Sequence, residues 1–139
     1  MHSYLVSLRI SGATLEPSRV TCDLGIEPSQ VRIKGESRPG GKSTWDESVW
    51  EYEARPSGGE SGWRSLAEGL QTILSLFVPR QRILRQYQER FKVCLFCGHF
   101  TSSFNGGPAF SPSLLRQLGD FGVELFLDTY HSDEFVSGA

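Results

Sequence analysis

Tyr4-Leu5-Val6-Ser7-Leu8-Arg9-Ile10 decides how the rest of the chain is read. Tyr4, Val6, Leu8 and Ile10 alternate with Leu5, Ser7 and Arg9, the period of two that marks a strand with one buried face. A signal peptide is not expected here, because no basic segment precedes the stretch and Ser7 and Arg9 interrupt its apolar positions. Working outward, Val49 to Ala54 sets Trp50, Tyr52 and Ala54 on one face and Val49, Glu51 and Glu53 on the other, a second strand. Lys92 to Phe100 is apolar on both faces and is expected to be a central strand. Val123 to Tyr130 is the last strand, with Val123, Leu125 and Leu127 facing inward and Glu124, Phe126, Asp128 and Tyr130 facing out.

Between the strands the apolar period lengthens. Leu15 to Gly25 carries Pro17 in a first helical turn, Val20 and Leu24 four apart, and Gly25 where a left-handed C′ residue belongs. Trp63 to Phe77 places Leu66, Leu70, Ile73, Leu74 and Phe77 on one stripe. Pro79 stops or kinks that helix, and a further one runs to about Arg90 with Ile83, Leu84 and Tyr87 inward. Ser29 to Glu47 is a long polar loop with room for a short strand at Val31 to Ile33. The segment Phe110-Ser-Pro-Ser-Leu-Leu echoes Leu15-Glu-Pro-Ser-Arg-Val, a weak internal repeat. The resulting order is β-α-β-α-α-β-α-β. It predicts a single α+β domain over residues 1–139: a two-layer, four- or five-stranded mixed sheet with helices mainly on one face, ferredoxin-like in character.

Composition limits the function classes. The 139 residues hold 14 Lys and Arg against 16 Asp and Glu, a net charge of −2, which argues against nucleic-acid binding through bulk charge. Three cysteines are an odd set in a chain long enough to bury a core without staples, so a reducing, cytoplasmic setting is expected. The longest apolar run, Val93 to Cys97, is far short of the roughly 20 residues of a spanning helix, so no membrane anchor is expected.

Each candidate for chemistry meets a plainer reading. Gly35-Glu-Ser-Arg-Pro-Gly-Gly-Lys-Ser43 resembles a phosphate loop, but its register puts Glu36 where the first glycine belongs, and a strand rather than a helix follows. Cys94 and Cys97 are three apart on a strand and point to opposite faces, so they do not form a metal or redox pair, and neither metal nor cofactor is expected. His99 could activate Ser102 or Ser103, yet a histidine late in a half-buried strand is more often satisfied by a neighbour. Charge is uneven. Residues 79–92 hold Arg80, Arg82, Arg85, Arg90 and Lys92 against Glu89, which reads as a solvated helix face rather than a nucleic-acid site. Residues 120–139 hold five carboxylates, Asp133 and Glu134 among them, and no Lys or Arg. The mixed row Glu124, Phe126, Asp128, Tyr130 is the more suggestive feature, a contact surface if helices cover only the other face.

Taken together, Arg9-Ile10-Ser11-Gly12, Leu15-Glu-Pro, Leu24-Gly-Ile-Glu-Pro28, Lys34-Gly35-Glu36, Trp50, Phe110-Ser-Pro-Ser-Leu-Leu and Asp128-Thr-Tyr130 resemble the bacterial domain of unknown function family 4279. The resemblance covers nearly the whole chain. It implies a small stand-alone α+β domain and carries no catalytic residue across. Pro39 to Thr44 and the Cys94/Cys97 pair depart from the family pattern. The expected function is a non-catalytic protein-interaction domain, an immunity-like or accessory protein that masks a protein partner, with Lys34, Arg38, Trp50, Phe126, Asp128 and Tyr130 as contact residues. The rival is a small-ligand binder or enzyme with a pocket between loop 29–47 and the sheet, walled by Trp45 or Trp50.

Overall fold

The computed structural model describes residues 2–57 and 62–132. Its strands are β1 (His2–Gly12), β2 (Gln30–Arg32), β3 (Ser48–Ala54), β4 (Lys92–Thr101) and β5 (Glu124–His131). Its helices are α1 (Pro17–Leu24), α2 (Leu66–Phe77), α3 (Gln81–Gln88) and α4 (Pro112–Phe121), with a 3-10 turn at Val78–Arg80 between α2 and α3. The sheet order is β2-β3-β1-β4-β5. β1 runs antiparallel to β3 and β4, β2 antiparallel to β3, and β5 parallel to β4. The first four strands with their helices form the split β-α-β of ferredoxin-like folds, and β5 extends that sheet. Because β4 and β5 are parallel, the chain must cross over between them, and α4 is the crossover.

β1 decides the layering, as its alternation predicts. Val6 stands opposite Ala54 and Cys97, Leu8 opposite Tyr52 and Leu95, Ile10 opposite Trp50 and Val93. These residues share one face and one core with Val20 and Leu24 of α1, Leu66, Leu70, Ile73, Leu74 and Phe77 of α2, Leu84 of α3, and Leu114 and Phe121 of α4. Each large apolar side chain so buried contributes roughly 1.5–3 kcal/mol. α2 comes close to β1 at Gly69, where a Cβ would lie 2.8 Å from Val6 Cγ2. β4 is interior, as expected, although β1 is the middle strand.

Helix boundaries follow capping. Ser65 and Ser111 accept from the backbone N–H of Glu68 and Leu114 and start α2 and α4, so Trp63 precedes its helix instead of opening it. α1 and α4 both open with Pro and both end on a left-handed glycine, Gly25 (φ 69°) and Gly122 (φ 71°). The echo between the two segments stops there. α1 leads to a short strand paired antiparallel to β3, whereas α4 leads to a long one paired parallel to β4.

Loop 29–47 is more ordered than a polar linker. β2 begins one residue earlier than expected, and beyond it the chain folds back with a bridge between Ser37 and Thr44. Gly35 N–H donates to Trp45 O, Trp45 N–H to Glu36 O and Arg38 N–H to Ser43 O. The Arg32 and Arg38 guanidiniums lie over the Trp45 ring, 4.3 and 4.8 Å from its centroid.

Candidate contact surface

The face of the sheet away from the helices carries the chain's most unusual chemistry. Alternation places Ser7, Arg9, Glu51, Glu53, Cys94, Phe96, Phe100, Glu124, Phe126, Asp128 and Tyr130 there. The parallel register between β4 and β5 aligns Cys94 with Glu124, Phe96 with Phe126, Gly98 with Asp128 and Phe100 with Tyr130. Two aromatic pairs result. Phe96 and Phe126 stack with centroids 5.7 Å apart and planes 21° apart, and Phe100 and Tyr130 at 4.9 Å and 11°. Gly98 lies between the two β4 rings, and Phe100 comes within 3.1 Å of the place its Cβ would occupy.

Polar groups hold this ladder in place. Arg9 lies over the Phe96 ring at 4.5 Å from its centroid and donates to Glu51 Oε2 at 3.0 Å. Glu51 also accepts from the Ser7 hydroxyl at 2.7 Å and is buried, so its charge is paired and hydrogen-bonded as a buried carboxylate requires. At the outer end, the Asp128 carboxylate on the same face as Tyr130 pushes the phenol above its ordinary value. Phe126 remains 50% and Tyr130 43% exposed. No helix among the described residues packs on this side of the sheet.

The six side chains singled out from sequence do not form one site. Phe126, Asp128 and Tyr130 stand together on β5 as expected. Lys34 and Arg38 lie on the folded-back loop beyond β2 and β3, across the sheet from β5, and four strand spacings of about 4.8 Å separate β2 from β5. Trp50 is a correction. It faces the helices, is fully buried, meets Phe77 edge-on at 6.4 Å and donates its indole N–H to Thr21 Oγ1, so it is core rather than a contact or a stacking wall. Leu127 corrects the reading in the opposite sense. It points to the helix side opposite Cys97 yet is 40% exposed, because β5 is an edge that the helices do not cover.

Sequence reasoning missed Phe96, Phe100, Arg9 and Glu51. The signal was the equal four-residue spacing of Phe96/Phe100 and Phe126/Tyr130, which becomes meaningful only in the parallel register. It also missed the link between His2 and His99, whose Nδ1 and Nε2 are 2.8 Å apart. His99 is stacked between His2 and Tyr4, with centroids 5.0 and 5.1 Å away, so the neighbour that satisfies it is the imidazole of His2. Burial lowers its proton affinity.

A cleft of about 420 Å³ lies between α1 and the end of α3. Thr14, Arg19, Asp23, Tyr87, Arg90 and Phe91 are among the residues that line it. Tyr87 donates to Asp23 Oδ2 at 2.6 Å, and its phenol is held well above its ordinary value by burial first and by Asp23 second. Burial likewise raises the Cys94 thiol and pushes Cys97 up to about 12, so both stay protonated at neutral pH and neither is an activated nucleophile. Among the described residues no group of three His, Cys, Asp or Glu side chains is arranged to hold a metal, and no helix is long and apolar enough to cross a membrane. Asp133 and Glu134, with the tail they belong to, lie outside the described residues.

Fold and surface together define a class: a ferredoxin-like α+β domain with one face of its sheet uncovered by helices and laid out as an aromatic ladder flanked by carboxylates. The chain belongs to the family described as Domain of unknown function (DUF4279), which matches residues 2–132. Neither the curated proteins nor the solved structures yield a match to it.

Proposed function

We propose that this protein is a non-catalytic protein-interaction domain, an immunity-like or accessory protein of the bacterial cytoplasm, and that the β4–β5 end of the open sheet face is its contact surface. The observation that carries the reading is the row Glu124, Phe126, Asp128, Tyr130, whose two exposed rings stack on Phe96 and Phe100. Rigid aromatic rings supply contact area at little entropic cost, and the carboxylates supply orientation. Glu51, Glu53, Glu124 and Asp128 on one face oppose phosphates, which favours a protein over a nucleic acid. The free cysteines among the described residues, Cys22, Cys94 and Cys97, support a reducing compartment.

The test is capture from a native lysate with the tagged chain. One protein should be retained by the wild type and by Arg82→Ala, on the helix side, and lost with Asp128→Lys and with Phe126→Ala. Retention of the same protein by all four chains would refute the proposal. A second reading, small-ligand binding, is favoured by the cleft beside Tyr87. It predicts saturable protection of the Tyr87 and Phe91 ring resonances by a metabolite, abolished in Arg90→Ala.

A further inference from the structure

We infer that β5 is a docking edge to which an extended, basic segment of another protein adds as a sixth strand. This rests on the reading of the open face as a protein contact surface and specifies how the partner binds and what it must carry.

The first support is the backbone. β5 is the last strand of the sheet, and among the described residues no strand pairs with its outer side. Its register with β4 runs unbroken from Glu124 to His131. Long edge strands are ordinarily guarded by charged side chains, Pro, a bulge or a covering loop. β5 has no Lys, Arg or Pro and no interruption in its pairing, and its charges are the two carboxylates Glu124 and Asp128, a guard against acidic strands and against a second copy but not against a basic one. The opposite edge, β2, is three residues long. A row of free ladder groups eight residues long matches strand addition, where main-chain bonds supply affinity and alternate side chains supply specificity.

The second support is the side-chain pattern, and it selects the occupant. On the open face β5 reads Glu124, Phe126, Asp128, Tyr130, acid and aromatic in turn. On the other face it offers Leu125 and Leu127, the latter exposed. A strand laid antiparallel against it meets carboxylates four residues apart, with an aromatic ring beside each. Lys or Arg opposite Glu124 and Asp128, with aromatic residues opposite Phe126 and Tyr130, neutralises the acids and lengthens the stacked ladder by one strand. The same acids discourage self-pairing. A two-fold centred on Phe126 sets Glu124 against Asp128, and one centred on Asp128 sets that carboxylate against its copy.

A peptide with the core Phe-Thr-Lys-Val-Tyr-Val-Lys presents this pattern antiparallel to residues 130 to 124. Titrated into the full chain, it should bind and slow amide exchange across residues 124–131. Asp128→Lys with Glu124→Lys should weaken it ten-fold or more, and a peptide with Glu in place of both Lys should recover binding to that doubly substituted chain. Methylating alternate peptide nitrogens should remove binding while leaving every side chain in place. Absence of binding at millimolar peptide, insensitivity to the charge swap, or unchanged exchange in β5 would each overturn the inference. So would a wild-type dimer in sedimentation that Leu127→Asp dissociates, since the occupant would then be a second copy. The two proposals fail separately. Lysate capture that needs Phe126 while β5 amides exchange as in the free chain retains the contact surface and removes strand addition.

Discussion

His99 ties the stability of the fold to pH through one buried ring. Its imidazole is almost fully buried and one of the two facing nitrogens, on His2 or His99, must be an acceptor. Burial first, and the neighbouring His2 second, lower its affinity for protons from the ordinary 6.5. The unfolded chain therefore takes up its proton at a higher pH than the folded chain does. Stability is fully present above about pH 6.5 and is lost as the pH falls below it toward the depressed folded value. Thermal unfolding should show a lower midpoint at pH 5.5 than at pH 7.5, and His99→Asn should flatten that difference. An equal drop in the variant would assign the sensitivity elsewhere. The same scale shows the limit of reading residues singly. A histidine late in a strand could be expected to find a partner, but nothing local names one 97 positions away. Trp50 was assigned to the correct side of its strand and the wrong environment. Alternation reports which residues share a face, whereas coverage of that face depends on where α1 and α2 land.

At the scale of elements, two cations of the basic segment around α3, Arg80 and Arg85, together with Gln81 and Gln88, cap the ends of neighbouring helices. Arg80 donates to Leu24 O at the end of α1 and to Leu76 O in α2. Gln81, Arg85 and Gln88, on one side of α3, reach Asp120 O, Phe121 O and Gly122 O at the end of α4. Cationic donors at helix C-termini satisfy orphan carbonyls and complement the dipole. Arg80→Ala should therefore lower stability by about 1.5–3 kcal/mol, the range for hydrogen bonds to charged groups. Urea unfolding would register this as a lower midpoint at unchanged slope. Arg82→Ala should leave the midpoint nearly where it is. A solvated face was the reading from sequence, and for Arg80 the structure replaces it, because carbonyls exposed at a helix end only become neighbours of α3 once the helices are packed. Helix limits, by contrast, were legible to within a few residues. Pro17, Gly25, Pro79, Pro112 and Gly122 act through their own backbone geometry and need no tertiary partner.

For the molecule as a whole, the exposed rings cost the fold little and are available for contact. Phe126→Ala and Tyr130→Ala together should lower stability by no more than about 1–2 kcal/mol, whereas Leu95→Ala, in the fully buried layer beneath, should lose about 2–5 kcal/mol. Comparable losses would make the aromatic ladder a structural element instead of a surface. Strand identity, the sidedness of each strand, the helix punctuation and the two-layer α+β class follow from the sequence by itself, because alternation, apolar spacing and proline or glycine geometry act within a few residues. The tertiary structure decided the rest: that β1 is the middle strand, that β4 and β5 pair in the register that stacks Phe96 on Phe126 and Phe100 on Tyr130, and that β5 is left as an open edge. Those outcomes depend on which strands become neighbours after the helices have claimed one face, and pairing between segments some 30 residues apart is a property of the assembled core, not of either segment.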